Sequence, residues 1–343
     1  MISAFSRGYK KLFNKKMTKI ENREALIVTG LGDYSLADTF ECGQAFRFIR
    51  ISPDDEGRKN AIGEKYDGYV EYMTVVGERL IFVGQKEAGE LIFFGITEDE
   101  FDSVCVPYFA LDIDYAEIKR DILRNTDSEF LMNAAECASG IRILKQDPWE
   151  ALFSFIISQN NNIPRIKKII RAISAAYGEN LAEKNGLSEC PVKCLCCNKN
   201  GEKLDTSPCA SCGICYSFPK AKSVSDAPEL LLDSHPGFRY KYLVDAAEKV
   251  SSGAISFEKI IAENSYEYTV SELIKIKGVG EKVASCASLF AFSNLEAFPI
   301  DVWMKRAIDE YFGGKLDYKA LGKYAGVAQQ YIFHYIRKLS NIV

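Results

Sequence analysis

The sequence predicts an α+β protein: an N-terminal antiparallel β-sheet domain with helices, then an all-α domain interrupted by a small cysteine-rich insert. Three observations support this. Short β-branched and aromatic runs, separated by Gly, Asp and Pro signals, fill residues 23 to 96. Helical periodicity with cap signals takes over near Thr126. Seven of the eleven cysteines crowd between Cys190 and Cys215.

A chain of 343 residues with 47% hydrophobic and 12% aromatic content can bury a sizeable core, which excludes global disorder. The formal net charge of −4 argues against a wholesale basic nucleic-acid binder. A local basic face stays open, because a phosphate backbone is met by a patch and not by the average. No stretch approaches the roughly 18 apolar residues of a membrane span, so no membrane partner is expected. The cytoplasm is the expected compartment, with nucleoid association in a bacterium. Residues 1–22 read as a basic, flexible leader without the apolar region of a secretory signal, and Met17 is an alternative start.

Residues 23–125 form the expected N-terminal domain. The runs EALIVTG, AFRFIRI, YVEYMTVV, RLIFVG and ELIFFGI read as strands, with DDEG and GER as connections. One sheet face is expected packed and the other wet. Helices follow from DEFDSVCVPYFA and YAEIKRDILRN. Within the sheet region, Gly43 in ECGQAFRF marks either a close backbone approach or a plain strand entry.

Residues 126–343 form the expected helical domain, interrupted by an insert at 186–216. SEFLMNAAECASG is one helix. QDPWEALFSFIISQ is another, with Asp147 as N-cap, Pro148 at the first position and a core stripe of Trp149, Leu152, Phe153, Ile156 and Ile157. It ends at Asn160-Asn161-Asn162, followed by Arg165 in the next helix. These asparagines either cap helices or offer amides to a base edge. Phe238 and Arg239 open a run of interleaved aromatic and basic residues that suits either DNA contacts or a solvated helix start.

In the insert, Cys194-x2-Cys197 and Cys209-x2-Cys212 stand eleven residues apart. Two such knuckles fit tetrahedral zinc–thiolate geometry, one structural site with no open position for chemistry. Cys190, Cys196 and Cys215 could substitute, and an iron–sulfur cluster is the rival.

Leu273 to Asp301 is the stretch with most chemical content. A helix meets the turn Gly278-Val279-Gly280 and a second helix begins at once, exposing backbone N–H groups that suit a phosphate oxygen. Lys282 and Cys286 lie one turn apart on one face. A lysine amine at its reference pKa of about 10.4 is a poor nucleophile without help from its surroundings. Asp301, ending the following loop, supplies a carboxylate that could stabilise a developing cation or cap the next helix.

QDPWEALFSFIISQNNNIPRI, IKGVGEKVASC and FPIDVW, with ECGQAFRF, PGFRYKY and GVAQQYIFHY in the same order, resemble the 8-oxoguanine DNA glycosylases of the helix-hairpin-helix superfamily. The likeness runs from Ala25 to Leu339, the insert excepted. It implies a bifunctional enzyme, likewise expected to act as a monomer, that removes 8-oxoguanine from double-stranded DNA and cleaves the abasic strand by β-elimination. Lys282 would be the Schiff-base nucleophile and Asp301 the stabiliser of the cationic sugar. Gly43 would read the N7–H of the oxidised base, Cys286 and Phe333 would sandwich that base, and Gln329 would bind its Watson–Crick edge. Asn160, Arg165 and Arg239 would hold the cytosine left behind, with Phe238 as wedge and Gly278 to Gly280 as the grip on DNA. No cofactor is expected in catalysis. The sequence departs from the family pattern at Trp303, Ile336, Lys277 and the insert. The alternatives are another damaged-base preference or a non-catalytic DNA-binding module.

Overall fold

The computed structural model describes residues 12–20, 23–51, 70–185 and 212–340. A six-stranded antiparallel sheet runs in the order β1-β2-β6-β5-β4-β3. Its strands are β1 (Asn14–Ile20), β2 (Arg23–Thr29), β3 (Phe48–Ile51), β4 (Val70–Val76), β5 (Arg79–Gln85) and β6 (Glu90–Phe94). The four later strand assignments hold, and EALIVTG falls in β2. DDEG lies outside the described residues.

Residues 14–20, assigned by sequence to a flexible leader, instead form β1, paired with β2 from Asn14↔Thr29 to Ile20↔Arg23. Without β1, strand β2 would be an edge with unpaired backbone groups. Lysines dominate the new edge, and Lys15 bridges to Glu98 at 3.1 Å and Asp102 at 2.7 Å. The basic composition that suggested a leader is the composition an edge strand uses to stay unpaired with other chains.

The expectation of one wet sheet face is also corrected. One face packs Leu26, Val83, Leu91 and Phe93 against Phe40, Phe101 and Phe109. The opposite face packs Met73, Val75, Phe82, Ile92 and Phe94 against Leu181, Ala182, Ile214 and Cys215. Leu181 and Ala182 precede the cysteine-rich insert and Ile214 and Cys215 lie at its end, so its base seals the sheet. The run Ile81-Phe82-Val83 is apolar at both parities, as a strand covered on two sides requires. Asn180 and Tyr216 form a β-bridge, so the chain leaves and returns at one place. Ile214 is 1% exposed, and Ile214→Ala should cost about 2–5 kcal/mol of stability in a denaturant titration.

Helix α1 (Leu36–Glu41) follows β2, capped by Ser35, whose side chain accepts from Asp38 N. A helical segment, α2, runs as Glu98–Glu100, a π-turn Phe101–Cys105 and Val106–Tyr108. Helix α3 (Tyr115–Arg124), assigned by sequence to the N-terminal domain, buries Tyr115, Ile118 and Ile122 in the helical core instead. Then come α4 (Glu129–Cys137), α5 (Pro148–Ser158), α6 (Ile163–Tyr177) and α7 (Leu181–Lys184). Asp147 caps α5 through Glu150 N, and every residue from Trp149 to Ile157 except Glu150 is buried, which makes α5 the central helix. After the insert follow α8 (Ala221–Asp226), α9 (Tyr240–Ser251), α10 (Phe257–Glu263), α11 (Tyr266–Leu273), α12 (Glu281–Ala291), α13 (Val302–Tyr311) and α14 (Ala325–Leu339). Helix α12 lies on α5, with the Phe155 and Phe290 rings stacked at 5.3 Å. No helix among the described residues is long and apolar enough to cross a membrane. Cys194, Cys197 and Cys209 lie outside the described residues, as does the side chain of Cys212.

Candidate active site

The hairpin is α11, a turn and α12. Gly278 has φ +77, and a Cβ there would lie 2.4 Å from the Tyr242 ring, so both backbone and packing demand glycine. Asp245 fixes the turn by accepting from Lys277 N at 2.7 Å. Gly280 is the N-cap of α12, and the space where its Cβ would stand is open. An open helix N-terminus with unclaimed N–H groups is where a phosphate can sit.

Lys282 at the second position of α12 projects into a cleft that also contains Gly43, Cys286, Asp301, Gln329 and Phe333. All six residues assigned to chemistry and base recognition therefore converge, from α12, α14 and the loops before β3 and α13. The Lys282 ammonium lies 5.9 Å from the Phe155 ring centre. Cys286, one turn on, is buried, and desolvation raises its pKa against the opposing pull of Lys282. It faces the cleft as a neutral, polarisable thiol. Asp301 caps α13, its Oδ1 accepting from Trp303 N at 3.0 Å and Met304 N at 2.9 Å. The capping reading of Asp301 is the one these bonds show; they use one oxygen, and the residue also lines the cleft.

Gly43 has φ +85, and a Cβ there would meet the Phe333 ring at 3.6 Å and Ile163 at 3.8 Å. These contacts are ordinary, so it is the positive φ that calls for glycine, and it sets Gly43 in a bend rather than a plain strand entry. Its loop is held by Gln44, which is wholly buried. The Gln44 amide donates to the Thr39 carbonyl at 2.8 Å and the Arg142 carbonyl at 2.7 Å, and accepts from Leu144 N at 2.8 Å. Gln330 donates to Gln329 Oε1 at 2.7 Å, which orients the Gln329 amide. Sequence reasoning missed Cys42, Phe155, Phe290, Pro299 and Gln330 in the cleft wall. Cys42 and Gln330 adjoin residues already singled out and were findable on that ground. Phe155 and Phe290 read as ordinary helix core.

The DNA-contact candidates gather elsewhere. Asn162 caps α6 by accepting from Arg165 N at 3.0 Å, and Asn161 donates to the Ile157 carbonyl at 3.1 Å. Capping thus explains two of the three asparagines. Asn160 is different: it is exposed, with φ +46. Phe238 is 50% exposed beside Tyr242, and Arg165 is exposed. Arg239 departs from expectation. It is 2% exposed and donates to the Gln159, Asn160 and Pro236 carbonyls, at 2.8 Å from Nε to Gln159. The Gln159 and Asn160 carbonyls lie at the left-handed turn, and the guanidinium satisfies them together with the Pro236 carbonyl. It lies 4.4 Å from the Phe238 ring, tying Phe238 to the asparagine loop. Ile336 is buried in the helical core, where an acidic residue would be costly.

Sheet, hairpin and lysine-bearing cleft together define a helix-hairpin-helix DNA glycosylase. Residues 26–152 match the family described as 8-oxoguanine DNA glycosylase, N-terminal domain. The chain is 30% identical to the Clostridium acetobutylicum 8-oxoguanine glycosylase/lyase, solved with double-stranded DNA containing cytosine opposite 8-oxoG, at TM-score 0.75 over 96% of this chain and 99% of that one. The chain belongs to the 8-oxoguanine DNA glycosylase/lyase family. It is 27% identical to the N-glycosylase/DNA lyase of Saccharomyces cerevisiae over 285 residues, 79% of this chain and 66% of the yeast protein. Against the N-glycosylase/DNA lyase OGG1 of Arabidopsis thaliana the identity is 24% over 325 residues, 88% of this chain and 77% of that protein.

Proposed function

We propose that this chain excises 8-oxoguanine from double-stranded DNA and then cleaves the abasic strand, with Lys282 as nucleophile. The observation that supports this most is the meeting of Lys282 and Asp301 with Gly43, Cys286, Gln329 and Phe333 in one cleft. The glycosidic bond of a stacked base is out of reach, so the nucleotide must turn out of the duplex. The Gly278–Gly280 turn would hold its phosphates, while Phe238 and Asn160 fill the gap.

In the cleft the base would lie between the Cys286 thiol and the Phe333 ring. The Gly43 carbonyl would accept the N7–H that guanine lacks, and the Gln329 amide would take the Watson–Crick edge. As the C1′–N9 bond breaks, positive charge grows on the sugar and the Asp301 carboxylate stabilises it. Lys282 gives up a proton and its Nζ forms a bond to C1′ while the electron pair of the broken bond leaves with the base, which takes up that proton. Ring opening gives an imine, and loss of a C2′ proton expels the 3′ phosphate. Borohydride on a duplex with 8-oxoguanine opposite cytosine should trap a covalent adduct. Failure of wild-type protein to form one would exclude the mechanism.

We further propose one structural zinc in the insert, bound by Cys194, Cys197, Cys209 and Cys212. The separated Cys-x2-Cys pairs support it, as does a stem closed at Asn180 and Tyr216. Metal analysis should give about one zinc per chain, and chelation should lower thermal stability because the stem seals a sheet face. Iron absorbance in the purified protein would overturn the assignment.

A further inference from the structure

Behind the Phe333 wall lies a charge that the chemistry above does not use. Arg337 follows Phe333 by one turn of α14, is 8% exposed, and holds its guanidinium 5.3 Å from the Phe333 ring centre. Its Nη1 lies 3.5 Å from the carbonyl of Glu41, the last residue of α1 and two before Gly43. His334, three residues earlier on α14, places Nε2 3.6 Å from Asp38 Oδ1, so α14 faces α1 along more than one point. Burial lowers the Arg337 pKa, while the Cys42 thiol and the Asp301 carboxylate act in the other direction.

An apolar side chain would fill this place without desolvating a cation. What the guanidinium adds is direction: a planar donor that lies against a ring and reaches a carbonyl at a helix C-terminus, where positive charge is favoured. We propose that Arg337 is a positioning residue for base recognition, bridging Phe333 to the end of α1 and so setting the spacing between the Phe333 ring and the Gly43 carbonyl. These two features come from opposite ends of the chain, and the bridge is where they are held together. A Cβ at Gly43 would stand in ordinary van der Waals contact with the Phe333 ring, at 3.6 Å, so the two features are direct neighbours. This proposal rests on the glycosylase reading given above.

An abasic site has no base, so strand cleavage at a preformed abasic site does not use the spacing that Arg337 sets. Single-turnover rates of 8-oxoguanine excision and of abasic-site cleavage are therefore measured on the same protein for wild type, Arg337→Met and Arg337→Lys. Arg337→Met should slow excision about tenfold or more, since a misplacement of about 1 Å can cost about a hundredfold. Its abasic cleavage should stay within about twofold. Arg337→Lys, which keeps the charge but not the planar donor, should fall between. Equal losses in both reactions would mean that Arg337 acts through Asp301 or general stability, and would overturn the proposal. Unchanged excision would overturn it too. If Arg337→Met does not fold, the excision-to-cleavage ratio of Arg337→Lys decides, and a wild-type ratio rejects the idea. Wild-type protein that cleaves abasic DNA but leaves 8-oxoguanine in place would instead defeat the substrate reading, and this proposal with it.

Discussion

Lys282→Gln should abolish the borohydride-trapped adduct and slow excision by at least about 10⁴-fold, the scale reached when an enzyme loses its nucleophile. Glutamine is close to lysine in length and helix propensity, so α12 should form as before. The proposed DNA grip is made by backbone N–H groups of the Gly278–Gly280 turn and is unaffected by the substitution. The variant should therefore bind an 8-oxoguanine duplex with nearly wild-type affinity in a fluorescence titration. Loss of trapping together with retained binding separates chemistry from recognition. Trapping equal to wild type would place the nucleophile elsewhere.

Much of this was legible because local signals and tertiary needs agreed. Asp147-Pro148 starts α5 as its cap chemistry dictates, and the glycine-rich turn lies where two helices meet. Asp301 reads as a cap from sequence and is one. The misses share a cause, which is information held by distant residues. Nothing local to residues 14–20 says that β2 needs a partner on its open edge. Nor do Leu181 and Ile214 reveal that they close a sheet face. Arg239 has the composition of a DNA contact. Its actual partners are carbonyls at the left-handed turn of Asn160, about eighty residues earlier in the chain. The buried Gln44 gave no signal, because three partners spread from Thr39 to Leu144 define its role.

Asp301 offers a way to divide structural from chemical work within one side chain. Asp301→Asn keeps an acceptor oxygen for Trp303 N and Met304 N but removes the charge, and asparagine caps as well as aspartate. Its thermal stability should stay near wild type. Asp301→Ala loses the cap as well and should be less stable by about 1 kcal/mol. Both lack the carboxylate proposed to face the developing positive sugar, so both should lose about 10² to 10³-fold in single-turnover excision, the scale of one preorganised electrostatic contact. The two variants would thus differ in stability and agree in rate. A rate loss that followed stability instead, with Asp301→Asn retaining excision within about twofold, would show that the carboxylate acts only as a cap. The sugar cation would then need another counter-charge. Lys282 cannot provide one, and the rest of the cleft is neutral: Cys286 is held as a thiol, and Gly43, Gln329 and Phe333 have no charge. Asp301 is the only carboxylate among the residues that line the cleft, which is why the loss is expected in both variants.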